Sequence, residues 1–580
     1  MRTTFLLLFF TGICSLVSAT DFQVTSGADS GPGTLRQAIL DANLDTNSPH
    51  TISIANDVKT ITVSAALPAP SKAMTIDGGT SGVVIDGSAI AGSNVLAYSI
   101  VTVNFHNLIF NNALLSIGSA SGSPAIGSGV GIARNCTFRN GIAGAVKVSS
   151  LFKAINCQFY NNTMNATANG VAIRGLSSAN SVYLDSCIIR ENNSTGANGG
   201  AAIYIIGNNP ASKLEVRNSI LYNNTNATTG TNYGGGIASG GETIIHNSAI
   251  YGNSAKRGGG LVLLNGGTLK KSKLTITNST FSENNATEVG GGICILGAST
   301  DVTDSISITN TTISGNHSAG ATVDGGGINI GQGASSPWIL RMSLNNCTVT
   351  KNTSSNTSGS GAGIGRTNSG NIRLWINYSI VAGNNPESTN IGRDITSSVG
   401  WLASSTGRNI YGGVPSWGDS ERLGNINLND GTTGNELVAL TDIMTLTLAD
   451  NGGTSALPDG SFVKTHALFE NSYALDPVTA DFGMQLTDQR GFDRDEMPDI
   501  GAYEYIPTTR LIYLPSNNHF SIVNRHLQVT DNGIVEIISV SGRILLKSKV
   551  KSGDQIALPK GLSIVKFSTE KGRFIQKVIL

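Results

Sequence analysis

Along roughly the central half of the chain, paired apolar residues two apart are followed by a polar hinge and then a single apolar anchor. The stretch Leu274-Thr-Ile-Thr-Asn-Ser-Thr-Phe-Ser-Glu-Asn284, followed by Gly290-Gly-Gly-Ile293, shows the whole pattern. The anchors are Phe110, Phe138, Phe159, Ile189, Leu221, Ile250, Phe281, Ile313, Val349 and Val381, mostly about thirty residues apart. Asn recurs three residues after the anchor at Asn162, Asn192, Asn224, Asn253, Asn284, Asn316, Asn352 and Asn384. The period of two predicts strand. Leu274 and Ile276 share a face, yet Phe281 lies an odd distance from both, so the chain must bend near Asn278-Ser279 to keep all three inward. Asn284 predicts a second turn, because Asn tolerates left-handed backbone. The Gly-Gly-Gly-Ile step predicts a third, through glycine's freedom at positive φ.

Three strands and three turns make one coil of a parallel β-helix. One coil cannot bury its own apolar residues, so coils must stack about 4.8 Å apart with like residue over like. The fold class expected is therefore all-β: a right-handed parallel β-helix of about ten or more coils. The recurring Asn then forms a hydrogen-bonded ladder along the axis. An antiparallel sandwich gives no reason for one template to return at coil length.

Composition narrows the function classes. The 580 residues include 71 Gly, only 13% are charged, and the formal net charge is zero, which does not fit nucleic-acid binding. Residues 1–19 pair Arg2 with the apolar run Phe5 to Phe10 and end in Val17-Ser18-Ala19, the pattern of a secretory signal peptide. No later segment is long and apolar enough to be a transmembrane helix. Five cysteines follow residue 19, an odd number that argues against a full disulfide framework. Cys136, Cys157, Cys187 and Cys347 fill the slot occupied elsewhere by Ser219, Ser248, Ser279 and Thr311, and should be small inward residues. Rung spacing leaves a Cys136–Cys157 bridge open, with poor geometry for parallel side chains.

Five segments are expected: 1–19, the signal peptide; 20–66, a cap and first strands; 67–394, the coils; 395–506, a terminal β-helix region; and 507–580, a separate domain. Leu35, Ala38, Ile39 and Ala42 share one face of a short helix placed to cover the open end of the solenoid. Ile52-Ser-Ile54 and Ile61-Thr-Val63 read as the first strands. Residues 507–580 hold eleven Lys and Arg against four Asp and Glu, a charge of about +7, in alternating segments that fit a small antiparallel sandwich.

Several of these words resemble known families. Gly33-Thr-Leu-Arg-Gln-Ala-Ile39 resembles the Cys-Ser-Leu-Arg-Glu-Ala-Ile motif at the start of many secreted bacterial β-helix proteins, matching at Leu35, Arg36, Ala38 and Ile39. Phe281-Ser-Glu-Asn284 with Gly290-Gly-Gly-Ile293 resembles repeats of polymorphic outer-membrane adhesins and autotransporters. Leu448-Ala-Asp-Asn-Gly-Gly-Thr454, Thr465-His-Ala-Leu468, Asp488-Gln-Arg-Gly491 with Arg494, and Asp499-Ile-Gly-Ala-Tyr-Glu504 resemble the end of the choice-of-anchor Q family of surface β-helix proteins. The tail, through Gly542-Arg543, Gly561 and Lys577-Val-Ile-Leu580, resembles the C-terminal sorting domain read by the type IX secretion system of Bacteroidetes, although Ser563 stands where that family usually has Tyr. These resemblances imply a secreted protein held at the outer cell surface, in association with the outer membrane. They also imply partners in the type IX secretion machinery, and structural roles for His466 and Asp476.

Candidate chemistry has to lie where outward positions depart from Thr, Ser and Asn. Positions four and six before the anchor face solvent on one sheet. On three consecutive rungs they are Tyr183 and Asp185, Glu215 and Arg217, and Ile244 and His246. Asp185, Glu215, Arg217 and His246 thus fall within about two rung spacings, as either a catalytic group or an ordinary surface ion-pair ladder. Tyr183 and Trp375, outward aromatics of the same sheet, are candidates for stacking on sugar rings. The acidic run Asp488, Asp493, Asp495, Glu496 and Asp499 offers ligands for Ca²⁺ with Arg490 and Arg494 as competing partners; no other cofactor is expected. The residues favour binding, to polysaccharide or a host or cell-surface ligand, over catalysis. The competing expectation is a polysaccharide lyase or glycoside hydrolase, and a third is a purely structural surface-layer component.

Overall fold

A computed structural model of the protein describes most strands and turns from Thr20 to Asn384, short pieces between 395 and 428, most of 440–506, and the strands between 520 and 579. Residues 1–19, where a signal peptide is expected, lie outside these residues. The chain divides into two compact units, residues 1–504 and 505–580.

The first unit is a right-handed parallel β-helix. Its first sheet has 13 parallel strands, its second 14 and its third 10. The sheet of 13 begins with Thr20–Val24, which pairs in parallel with His50–Ile54, so the solenoid starts a rung earlier than the apolar pattern indicates. Seven of the coils also carry a strand the sequence pattern misses. From Thr163–Met164 to Thr353–Ser354, a fourth sheet of seven short strands sits between the Asn position and the glycine turn. Three strands per coil is therefore corrected to four over this span. Five of the seven are only two residues long, with too few positions to show a period.

The bends follow local backbone chemistry. Asn107, Asn135, Asn156, Asn218, Asn247, Asn278, Asn310 and Asn346 all have φ between 44° and 55°, which turns the chain from the first sheet into the second. At the second bend the left-handed residue precedes the recurring Asn: Glu283 (φ 55°) before Asn284, and Asn223 (φ 53°) before Asn224. The recurring Asn is free to point inward, and it is fully buried at Asn192, Asn224, Asn253, Asn284, Asn316 and Asn352. Asn284 Nδ2 donates to Asn316 Oδ1 (2.9 Å) and to the Ile250 carbonyl (2.9 Å). The same two bonds repeat from Asn192 to Asn352. The ladder satisfies amides and carbonyls that the bend would otherwise bury unpaired.

Inside, like stacks on like. The rings of Phe110, Phe138 and Phe159 lie 4.9 and 4.6 Å apart and within 10° of parallel. Cys136, Cys157, Cys187 and Cys347 occupy the inward slot as free thiols, and Cys294 is a fifth, all buried. Burial is the largest cause raising the Cys294 and Cys347 thiols to about 12. At the N-terminal end, the helix Leu35–Leu44 turns Leu35, Ala38, Ile39 and Ala42 into the core beside Val24 and Ile52. Thr34 caps it, accepting from the Gln37 amide at 3.3 Å. Arg36 fastens the cap by donating to Asp29 Oδ1 and to the carbonyls of Ala65 and Ala66.

The described residues of 440–504 form a strap along the outside of the second sheet. The outward Thr280, Thr312 and Thr348 are almost fully buried beneath it. Gln489 bridges the coils, Nε2 donating to Thr280 Oγ1 (2.9 Å) and Oε1 accepting from Thr312 Oγ1 (2.6 Å). At one end Ile220 and Ala249 pack with Leu457 and Val463. At the other the Gly501 amide donates to the Tyr378 carbonyl (2.8 Å). A Cβ on Gly501, whose φ is 101°, would stand 2.9 Å from both Ile380 Cδ1 and Thr348 Oγ1.

The second unit contains an antiparallel sheet of three strands and another of four. Leu527, Val529, Val535, Ile537, Val550 and Val565 are its buried core.

Candidate functional site

The register of the first sheet places the candidate residues in two outward columns. Tyr183 pairs with Glu215 and Glu215 with Ile244, while Asp185 pairs with Arg217 and Arg217 with His246. Adjacency follows the sequence expectation, but most of the four are engaged with other residues.

Asp185 Oδ1 accepts from Asn218 Nδ2 (2.8 Å) and from Ser186 Oγ (3.2 Å). On other rungs the bend Asn does this work, as where Asn247 Nδ2 donates to Asn218 Oδ1 (2.9 Å). Ser186 replaces Asn at the bend (φ 55°), and Asp185 supplies the missing acceptor. Glu215 is held from both sides of its own strand, by Lys213 Nζ at 3.1 Å and by Arg217 Nε. Burial pushes the Glu215 carboxyl up, but the Arg217 and Lys213 contacts outweigh it and hold the group below its usual range. Glu215 therefore carries no proton to donate at neutral pH. His246 Nδ1 lies 2.8 Å from Thr277 Oγ1; burial first and the Arg217 charge second depress its pKa, leaving a neutral ring. Among the described residues, Glu215 with Arg217 is the only pair of the four that bond to one another.

Tyr183 is half-buried, with Lys153 Nζ and Lys213 Nζ at 5.6 and 5.5 Å from its ring centroid. Trp375 continues the same column, pairing with Ser343. It is half-buried rather than exposed, and six rungs separate it from Tyr183, about 29 Å at a strand spacing near 4.8 Å. Arg341 and Arg373 are exposed on adjacent strands beside it. One small sugar cannot touch both aromatics, whereas an extended polymer lying along the column can.

The buried Asp488 and its neighbours Arg490, Arg494 and Glu504 are committed to internal bonds. Asp488 is fully buried, pairs with Arg490 Nη2 at 2.7 Å, and accepts from the amides of Arg490, Phe492 and Glu504. Arg494 bonds the Glu504 carboxylate (3.0 Å) and the carbonyls of Asp499 and Gly501. Asp495 accepts from the Met497 amide, while Glu496 and Asp476 lie outside the described residues. His466 is 2% exposed, with Nε2 2.8 Å from Ser314 Oγ and Nδ1 2.8 Å from the Thr445 carbonyl. Burial is the largest cause lowering its pKa to about 4. Among the described residues, no group of three or more His, Cys, Asp or Glu is arranged to hold a metal ion. No described helix is long and apolar enough to cross a membrane.

Sequence reasoning missed the strap as a covering layer. A signal was present in the outward column Ile220, Ala249, Thr280, Thr312, Thr348, Ile380, whose apolar ends do not suit a solvated face. No curated protein matches the chain. The central coils do have a counterpart among known families: residues 149–335 match the family described as "Right handed beta helix region".

Proposed function

We propose that the chain is an exported cell-surface β-helix protein that binds polysaccharide or another extended surface ligand along its first sheet, and that residues 505–580 serve its sorting and anchoring. The observation that carries the binding reading is the state of the charged column. Glu215 is ionised and gripped by two cations, Asp185 completes a bend, and His246 bonds Thr277. A general acid needs a raised pKa and a general base needs a free proton path; a binding face needs polar groups in fixed register beside aromatics. Tyr183 and Trp375 give that register a polymer's length.

Purified protein presented with a panel of polysaccharides should retain one or more of them without releasing reducing ends or unsaturated products. Product release abolished by Glu215→Gln would replace the binding reading with the lyase or hydrolase one. Deleting residues 505–580 should abolish surface display in the native host, and unchanged display would remove the sorting role.

A further inference from the structure

Between Asp86 and Asp185 the sequence contains no Asp or Glu, yet it contains Arg134, Arg139, Lys147, Lys153 and Arg174. Two of these cations meet on the outer face of the third sheet. Lys147 pairs directly with Arg174, and Arg174 with Tyr204 on the next rung. Their strands lie about 4.8 Å apart, and both side chains are half-buried. Arg174 Nε is shielded from solvent and has no hydrogen-bond partner among the described residues. Burial, and for Lys147 also the neighbouring Arg174 charge, depresses the pKa of each group, the mark of cations that solvent does not fully relieve.

Among the described residues, no carboxylate pairs with either cation. The carboxylates closest in sequence, Asp185, Glu191 and Glu215, belong to other faces of the solenoid. Asp185 and Glu215 are on the first sheet, and Glu191 is at the bend leaving the second. Residues 165–169, 177–179, 196–201 and 206–211, which join the neighbouring strands, contain no acidic residue. Stacked Arg341 and Arg373 on the first sheet differ in being exposed, so water and salt screen their repulsion. Half-buried Lys147 and Arg174 have less of that screening. Farther along the same column Ala238, Val262 and Cys294 are fully buried, so the next three rungs offer no charged group beside Tyr204.

We propose that Lys147, Arg174 and Tyr204 form an anion-binding site on the third sheet for the carboxylate or sulfate groups of an acidic saccharide. One oxyanion set between the two cations accepts from the Lys147 ammonium and the Arg174 guanidinium together, and the Tyr204 ring provides a flat edge for the adjoining sugar. The saccharide identity rests on the binding reading above; the anion site rests on the unopposed charges alone.

The test titrates the full chain with polygalacturonate, dextran sulfate and neutral dextran, at low and high salt, by calorimetry. At least one anionic polymer should bind, salt should weaken it, and neutral dextran should not compete. Preference for polygalacturonate assigns a carboxylate and preference for dextran sulfate a sulfate; either supports the site. Lys147→Met with Arg174→Met should reduce affinity roughly ten- to a hundredfold, and Arg174→Lys should lose part of it. The unliganded melting midpoint of Lys147→Met should hold or rise, which separates loss of the site from loss of the fold. Binding lost in Arg217→Met or Trp375→Ala but retained in the Lys147/Arg174 double variant would overturn this site while leaving first-sheet binding intact. Failure of both anionic polymers to bind would overturn it as well.

Discussion

His466 is a buried acid-sensitive peg, and its effect can be worked from the structure. Its ring sits between the Ser314 hydroxyl on the coil and the Thr445 carbonyl on the strap. The carbonyl can only accept, so Nδ1 carries the proton and Nε2 accepts from Ser314. Protonating Nε2 removes that acceptor. Burial opposes the added charge most, the Thr445 carbonyl partly favours it, and Lys351 opposes it again. The folded pKa of about 4 lies below the ordinary 6.5. From pH 6.5 down to 4 the unfolded chain therefore binds a proton that the folded chain does not. Stability falls with pH across that window and levels off below it, by about 3 kcal/mol in total. Other carboxylates titrate over the same range, so the effect must be isolated as a difference. His466→Gln keeps a donor for Thr445 and an acceptor for Ser314 but has no titration. Urea unfolding of both proteins at pH 7, 5.5 and 4.5 should show wild type losing more stability than His466→Gln, by about 2 kcal/mol or more. Protection of the Thr465, Ala449 and Thr445 amides, which pair across the strap, should fall in step. Parallel stability curves for the two proteins would refute the reasoning.

Asn284→Ala interrupts the ladder at its centre, leaving the Ile250 carbonyl and the Asn253 amide without their side-chain partners; chemical denaturation should show a loss of about 3 kcal/mol or more. Arg494→Met leaves the buried Glu504 carboxylate uncompensated, so the strap should lose about 3–5 kcal/mol and become the preferred site of limited proteolysis. The five cysteines should resist alkylation at pH 8 in the folded protein, since burial raises the Cys294 and Cys347 thiols to about 12. All should react together once the chain is denatured, as mass spectrometry would count.

The coil is legible in the sequence because each position has a single neighbour type. An inward residue lies over another apolar residue at the equivalent position one turn away, so Leu274, Ile276 and Phe281 report their own geometry through parity. The same logic finds the cap face of Leu35, Ala38, Ile39 and Ala42. Legibility fails where contacts join residues far apart in sequence. Thr312 meets Gln489, and Ser314 meets His466, with well over a hundred residues between them. Nothing periodic marks such pairs. Parity places the candidate column correctly but misjudges its worth: the outward position of Asp185 suggests chemistry, while the loss of Asn at Ser186 assigns it a bend to complete.

The strap also sets a rule for how this molecule can change over generations. Identical coils invite gain or loss of a whole turn, since a solenoid closes over the change without a new core. Between Ile220 and Tyr378, however, several coils are pegged to the one covering segment, by Leu457 and Val463 at one end, by His466 and Gln489 between, and by Gly501 at the other. Losing a coil there would shift every later peg by about 4.8 Å, breaking Gln489 from Thr312 and His466 from Ser314 together. Coil number is therefore counted beneath the strap, whereas among the described residues no strap contact reaches the coils between Met74 and Arg217, where duplication or deletion can alter the length of the solenoid at smaller cost.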